Sequence, residues 1–526
     1  MNMDKTKPQS GAVQADVLLL SGLALLIGSY ALLRYGGWWS ESDTQAFIRA
    51  TTTVLQTGAL APAGQAYQNG YGYQVLVIWL ATLTGLPLGL LQLITGALLA
   101  VWVVFPAWLC YREFTHSRLA SSLAILVLLA QPEFVFPLLR GTHEKFTRGL
   151  MFLCLYLLLR SLRERVPRRI ALLLVGFYLC AYALIAFNTF MATSFILAVI
   201  LALALLLLVS WCLAPAGGPA RPLVTKLLYV AFSSFVIASI FIFYIYPPAQ
   251  DQLRVLQNMA DRLALLFLQV EGAALNPYTV VNSGWISLQV YFVLSLANWL
   301  LLAFSLFLWL GQSYRWLIHR AALPARHELA LWAFYAAFAF LGFSSILVDV
   351  SGALSANLQH RIYPSFAMLA APLAGAWLAE RAVFASASPR WRHAAVGLLL
   401  AILIGLSVLK ATAEPLLSNY WVFYTPAEQA SLVWAEQALR GRSLWTDPIG
   451  RVGAGYVIQT GREPVHITLD SYRPDRSTRD YLLSQTTLLH QLRLGQSLPV
   501  QADSLVTYDN GQAQIYHRRP LTPFQK

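Results

Sequence analysis

Long apolar runs separated by short polar breaks dominate the first four fifths of the chain. A helix needs roughly 17–25 mainly apolar residues to cross a bilayer. Eleven stretches are read as spans: 17–33, 88–111, 119–136, 146–162, 170–187, 190–213, 227–246, 285–310, 329–347, 362–378 and 394–409. The run 73–86 is apolar but only about a dozen residues long, which suits an interfacial or re-entrant helix better than a span. Residues 43–55, and the stretch PPAQDQLRVLQNMADRLALLFLQ within 247–284, repeat apolar positions at helical spacing. Both predict amphipathic helices lying on a membrane surface.

The pattern changes near residue 416. Thr425-Pro426-Ala427-Glu428 is a helix start, with Thr as cap, Pro in the first turn and Glu closing a capping box. That helix is expected to run to about Leu439, and a second is expected over 477–494. Strands are expected at 443–446, 465–469, 504–508 and 512–516, the last two joined by a hairpin turn at Asn510-Gly511. The predicted fold class is therefore a polytopic, all-α membrane bundle over 1–415, followed by a small α/β domain over 416–526. The bundle carries long loops at 37–72, 137–148 and 247–284. The glycines around Gly450 and Gly455 lack dinucleotide-site spacing and context.

Composition agrees. The chain is 57% hydrophobic and 12% charged, with mean hydropathy +0.57, whereas soluble domains carry about 25% charged residues. The net charge of +13 sits mainly in short loops beside apolar runs, a pattern of membrane orientation and not of nucleic-acid binding. With the N-terminus in the cytoplasm, the inner loops hold Arg112 and Arg118; Arg160, Arg163, Arg165, Arg168 and Arg169; Arg221 and Lys226; Arg315, Arg320 and Arg326; and Arg381, Arg390 and Arg392. An odd number of spans then places the C-terminal region outside the cell membrane. The first apolar run has no evident cleavage site and reads as a helix, not a signal peptide. Cys110, Cys154, Cys180 and Cys212 all lie in or beside apolar segments, so neither a disulfide framework nor a cysteine metal site is expected.

Two polar islands carry the candidate chemistry. The first holds Glu41 and Asp43 just after the first span, beside Trp38 and Trp39. Asp43 could act as a general base toward an acceptor hydroxyl, bind a metal, or cap the following helix, as Ser42 could too. The second island is Leu139-Arg-Gly-Thr-His-Glu-Lys-Phe-Thr-Arg148, with five ionisable residues in nine positions. Arg140, Lys145 and Arg148 suit a phosphate or pyrophosphate; an i,i+4 pair between Glu144 and Arg148 is the plainer alternative. The two islands are expected to meet outside the membrane. Arg361, after His360, could hold a phosphate oxygen or snorkel to headgroups; Arg254 and Arg262 have weaker claims. Tyr67, Tyr71 and Tyr73, with Gln68 and Asn69, could line a sugar pocket or form an aromatic belt.

Here the chain resembles the GT-C superfamily of membrane glycosyltransferases, which includes protein O-mannosyltransferases, aminoarabinose transferases of lipid A and oligosaccharyltransferases. The resemblance rests on Glu41-Ser-Asp43 in the first long loop, His143-Glu144 ahead of the fourth span, HRIYPSFAMLAAPLAG at the tenth, and a soluble C-terminal domain. It implies sugar transfer from a polyprenyl-phosphate or polyprenyl-pyrophosphate donor to a cell-envelope glycan, lipid or protein acceptor, at the outer face of the cytoplasmic membrane. Asp43 would be the base or the acid that orients the acceptor, with Glu41 beside it, and Glu144 and His143 would assist. Arg140, Lys145, Arg148, Arg361 and His360 would balance the donor phosphate. Tyr71, Tyr73 and Asn69 would touch sugar or acceptor. If a divalent metal such as Mg or Mn is used, Asp43, His143 and Glu144 are its expected ligands. The chain departs from the family in having Glu-Ser-Asp and His-Glu where paired acids are usual, and it lacks the WWD signature of oligosaccharyltransferases. The rival readings are a flippase for lipid-linked sugars, which needs polar residues at the bilayer midplane, and a non-catalytic envelope-assembly protein.

Overall fold

A computed structural model of the chain describes residues 10–34, 39–60, 70–86, 98–213, 288–318, 325–350, 358–384, 390–412, 421–423, 426–439, 442–445, 466–468, 479–484 and 504–518, with a few single positions between them. In order, the first part contains α1 (Ser10–Arg34), β1 (Trp39–Glu41), α2 (Ser42–Thr57), α3 (Gly72–Thr84), α4 (Val101–Thr115), α5 (Arg118–Leu129), α6 (Pro132–Leu139), α7 (Glu144–Arg163), α8 (Pro167–Phe187) and α9 (Thr189–Leu213). It continues with α10 (Leu288–Leu294), α11 (Leu296–Ser313), α12 (Arg326–Val350), α13 (Leu358–Phe384) and α14 (Arg390–Ala411). Then follow β2 (Trp421–Phe423), α15 (Pro426–Ala438), β3 (Ser443–Trp445), β4 (His466–Thr468), β5 (Asp480–Ser484), β6 (Ser504–Asp509) and β7 (Ala513–Arg518).

Among the described residues, seven helices are long and apolar enough to cross a membrane: α1, α8, α9, α11, α12, α13 and α14. An eighth span is made if α5 and α6 count as one, bent by 77°. The run 119–136 thus differs from the straight span expected. Gln131 precedes Pro132 and is extended, at φ −91° and ψ 111°, because the proline ring disfavours the helical conformation just before it. The run 146–162 coincides with α7, but every 18-residue stretch of α7 holds Arg148, Arg160 and at least one more charge, so α7 is less plainly apolar than the seven helices above. In the run 88–111, α4 begins only at Val101. The surface helix expected within 247–284 and most of the run 227–246 lie outside the described residues. The short apolar run 73–86 forms α3, and residues 43–55 lie within α2.

The centre of the bundle is built on α13, which packs on α5 and α12, while α7 packs on α4 and α8. Ala367, Met368, Leu369, Ala370 and Ala371 are fully buried in α13. Gly375 permits its close approach to α5: a Cβ there would lie 2.6 Å from the Ala120 carbonyl oxygen and 2.7 Å from the Ala124 nitrogen. Small residues at a helix contact serve this purpose in membranes.

The C-terminal part contains a five-stranded sheet of order β4-β3-β5-β7-β6, in which β3 runs parallel to β4 and β5, and β7 runs antiparallel to β5 and β6. Its apolar core joins Leu432, Ala435 and Leu439, on or just after α15, to Leu444, Leu482, Ala513 and Ile515. One expectation is overturned here. Residues 480–484, read as part of a helix over 477–494, form the central strand β5. All five are buried, so the run Tyr481-Leu482-Leu483 lacks the alternation of a half-buried strand; short continuous apolar runs cannot be told from helix by periodicity. The β6–β7 hairpin forms as expected, with Gly511 at φ +85°.

Candidate functional site

The site begins where α1 gives way to β1 and α2. Helix α2 buries Thr44, Phe47, Ile48 and Thr51, the i, i+3, i+4, i+7 stripe of an amphipathic helix. Glu41 is the last residue of β1 and Asp43 lies in the first turn of α2. This puts Asp43 one position before the buried Thr44.

The second island joins the two meeting points. Arg140 ends α6 in an extended conformation, residues 141–143 cross over, and α7 starts at Glu144. Gly141 is clamped on both sides: its N–H donates to Thr44 Oγ1 at 3.1 Å, and its carbonyl accepts from the Tyr73 hydroxyl at 2.7 Å. A Cβ on Gly141 would sit 2.6 Å from Thr44 Cγ2 and 3.1 Å from the Gln92 carbonyl oxygen, so only glycine lets the strands of chain approach this closely. The two islands therefore meet, and α3 joins them. Below the clamp lies an aromatic floor. The Phe47 ring is 4.9 Å from His143 and 5.1 Å, edge to face, from Tyr73. Burial pushes the Tyr73 phenol well above its ordinary pKa, so it acts as a neutral donor to Gly141.

The charges are arranged around this floor. Arg140 Nη1 donates to Glu144 Oε2 at 3.1 Å, and its guanidinium lies 4.9 Å over the Phe136 ring. Lys145 Nζ donates to the Arg140 carbonyl, which folds the island back on itself. Glu144 thus pairs with the residue four positions before it, where the sequence had suggested Arg148 four positions after. Arg148 instead reaches α13: Nη2 donates to the Arg361 carbonyl at 2.8 Å and Nη1 to Ser365 Oγ. Lys145 and Arg148 are both about 1% exposed.

His143 is held by Asn188, which ends α8. The Asn188 Oδ1 accepts the Met191 N–H at 2.8 Å, so its amide nitrogen faces the ring. Nε2 of His143 is then an acceptor and the ring proton sits on Nδ1.

Of the residues anticipated for sugar contact, Tyr71 is half-buried at the start of α3, and the Tyr73 hydroxyl is engaged by Gly141. The Arg361 side chain is exposed. Tyr67, Gln68, Asn69, Arg254 and Arg262, and the side chains of Glu41, Asp43 and His360, lie outside the described residues. Thr44, Gly141 and Asn188 are the partners that sequence reasoning missed. Asn188 could have been found as the polar break between two expected spans. Thr44 and Gly141 carry no such signal. Among the described residues there is no group of three or more His, Cys, Asp or Glu side chains placed to hold a metal ion.

No protein-family model matches the sequence, and no curated protein matches it. Solved structures do share its architecture. The oligosaccharyltransferase of Archaeoglobus fulgidus, solved in the apo form, aligns over 89% of this chain and 69% of its own, with 14% identity and a TM-score of 0.57. The archaeal oligosaccharyltransferase AglB from Archaeoglobus fulgidus, in complex with an inhibitory peptide and a dolichol-phosphate, aligns over the same shares at 13% identity and a TM-score of 0.52. ArnT from Cupriavidus metallidurans, bound to undecaprenyl phosphate, aligns over 95% of this chain and 97% of its own at 13% identity, but with a TM-score of 0.40, too low to bear on the fold. The chain thus has the fold of the GT-C membrane glycosyltransferases.

Proposed function

We propose that this chain is an integral membrane glycosyltransferase. It moves a sugar from a polyprenyl-phosphate or polyprenyl-pyrophosphate donor to a cell-envelope glycan, lipid or protein acceptor, at the outer face of the cytoplasmic membrane. In this reading the bundle has eleven spans, the N-terminus is cytoplasmic, and residues 416–526 form an α/β domain outside. The observation that carries it is the Gly141 clamp. It sets the helix bearing Asp43 against an island bearing Arg140 and Lys145. A base and a phosphate-binding group are the two things such a transfer requires.

Asp43, with Glu41 beside it, takes the proton from an acceptor hydroxyl as that oxygen attacks the anomeric carbon. The bond from that carbon to the donor phosphate breaks, and the phosphate leaves with the electron pair. Its charge is balanced by Arg140 and Lys145, fixed before the reaction by Glu144 and by the turn of the island. Arg361 and His360, both on α13, are assigned to the donor phosphate in this reading. Arg148, bonded to α13, holds the island against the bundle. The described part of the expected metal ligand set fits poorly: Glu144 is paired with Arg140, and His143 Nε2 with Asn188. No step here is routed through an ion, and transfer assays with EDTA, then with Mg or Mn restored, decide the point.

The direct test compares wild type and Asp43→Asn in membranes supplied with a labelled polyprenyl-phosphate sugar. Removing a general base costs about 10²–10⁴-fold in rate, so transfer should fall by at least about 100-fold with the protein level unchanged. Full activity in the variant would refute the assignment. Mass spectrometry of polyprenyl-linked sugars with and without the active gene then identifies the donor. Accumulation of that donor only on the inner leaflet would favour flipping instead.

A further inference from the structure

One short stretch of chain is tied to both halves of the candidate site. At its start, Lys410 in the last turn of α14 donates to Glu133 Oε1 at 2.7 Å and to Ser295 Oγ at 2.8 Å. Glu133 is in the first turn of α6, the eight-residue helix whose other end is Arg140. At its far end, β2 pairs antiparallel with β1, in the register Trp39↔Phe423, Ser40↔Val422 and Glu41↔Trp421. β1 leads directly into the turn of α2 that holds Asp43. The membrane-embedded part of the chain and the C-terminal sheet are joined through this same stretch.

We propose that Lys410 and strand β2 act as a two-point strap that sets the two islands in register, with Lys410 as a positioning residue. The proposal rests on the transferase reading above. Lys410 is about 7% exposed, and a buried ion pair returns little net stability for the desolvation it costs. What it does provide is a defined geometry between two helices. The pair also joins the negative end of α14 to the positive end of α6, where the helix dipoles favour a cation and an acid respectively. Lys410 is bonded to Glu133 of α6, so in this proposal it acts through α6. The β1–β2 ladder acts on the other half, because a strand fixed two residues before Asp43 sets the direction in which α2 starts.

The test uses the full chain in native membranes and lipid nanodiscs. Residues directly opposite in an antiparallel ladder have Cα atoms about 4.5–5.5 Å apart, within the span a disulfide bridges. Ser40→Cys/Val422→Cys should therefore crosslink on mild oxidation. Lys410→Met should speed amide exchange over residues 139–145 by about tenfold or more as the island's local opening becomes easier. It should also weaken binding of undecaprenyl phosphate, used as the probe, about fivefold through displaced phosphate ligands. Lys410→Arg keeps the charge and should return both readouts to within about twofold of wild type. The strap is refuted if the cysteine pair does not crosslink. It is equally refuted if Lys410→Met only lowers the folded yield, leaving exchange and probe affinity unchanged. A wild-type chain that binds no undecaprenyl phosphate would count against the transferase reading; crosslinking and exchange would still decide the strap.

Discussion

Helices α8 and α13 are both long and apolar, but they meet different surroundings. About 22% of the spanning stretch of α8 is buried inside the protein, against 78% for α13. α8 presents Leu172, Val175 and Leu179 outward, each more than half exposed. Toward lipid, being apolar is enough, and almost any order of leucines and valines will serve. α13 has less freedom. It accommodates Pro364 and Pro372, approaches α5 at Gly375, and accepts the buried Arg148 guanidinium through Ser365 and the Arg361 carbonyl. The more central helix is thus the less plainly hydrophobic, since packing and polar satisfaction constrain it more than transfer to lipid does. The candidate site is attached to this inner group, through α7.

The largest expected effect breaks that attachment. Arg148→Leu removes the donors that α13 accepts in a buried place. Leaving those acceptors unpaired should cost about 2–4 kcal/mol, read as a lower Tm of the solubilised protein. Leu172→Ala on the outward face of α8 should stay within about 0.5 kcal/mol. A higher Tm for Arg148→Leu would mean that the desolvation of the guanidinium outweighs its bonds, and the contrast would fail.

Glycines sharpen the same comparison at smaller amplitude. Gly375→Ala would press a methyl into the backbone of α5 at Ala120 and Ala124. Overpacking of this kind costs about 1–3 kcal/mol. Gly397 in α14 has nothing within 4 Å of where its Cβ would lie, so Gly397→Ala should be neutral or stabilising by up to about 1 kcal/mol, the difference in helix propensity. Thermal unfolding of the two variants side by side reads the difference.

The same contrast explains what could be read from the sequence. The lipid-facing helices α1, α8, α9 and α14 were legible from apolar length alone, because their environment selects on hydropathy. The central helices α12 and α13 were legible in the same way, as the runs 329–347 and 362–378, but their neighbour in the centre was not. The α5–α6 run reads as one span, although Gln131-Pro132 breaks it. The two polar islands stood out as ionisable residues between apolar runs, and their meeting follows from the family-like order of the loops. The clamp itself was not legible: Thr44 and Gly141 are common residue types whose meaning comes from contacts 97 positions apart in sequence. Lys410 and Glu133, 277 positions apart, had no local mark either. In the C-terminal part, the Asn510-Gly511 turn was legible because its chemistry is local. β5 was not, because both of its faces are buried.

The smallest effect is expected where a charge stays in water. Asp509 Oδ1 accepts the Gly511 N–H and Oδ2 accepts the Gln514 amide, both at 2.8 Å. These bonds, first that from the Gly511 backbone, hold the Asp509 carboxyl below its ordinary pKa. A carboxylate whose folded pKa is depressed adds stability above its unfolded value of about 3.9, and loses it as pH falls through the folded value. Asp509→Ala should therefore loosen the β6–β7 hairpin slightly at pH 7. Below about pH 4 its difference from wild type should shrink as the carboxyl protonates. The ratio of variant to wild-type amide exchange over residues 504–518, taken at pH 7 and again at pH 3, measures this. Because Asp509 is open to solvent, the effect should also fade with salt, as a bond from the buried Arg148 should not. A ratio that does not change between the two pH values would show that the Asn510-Gly511 backbone alone sets the turn and that the carboxylate is incidental to it.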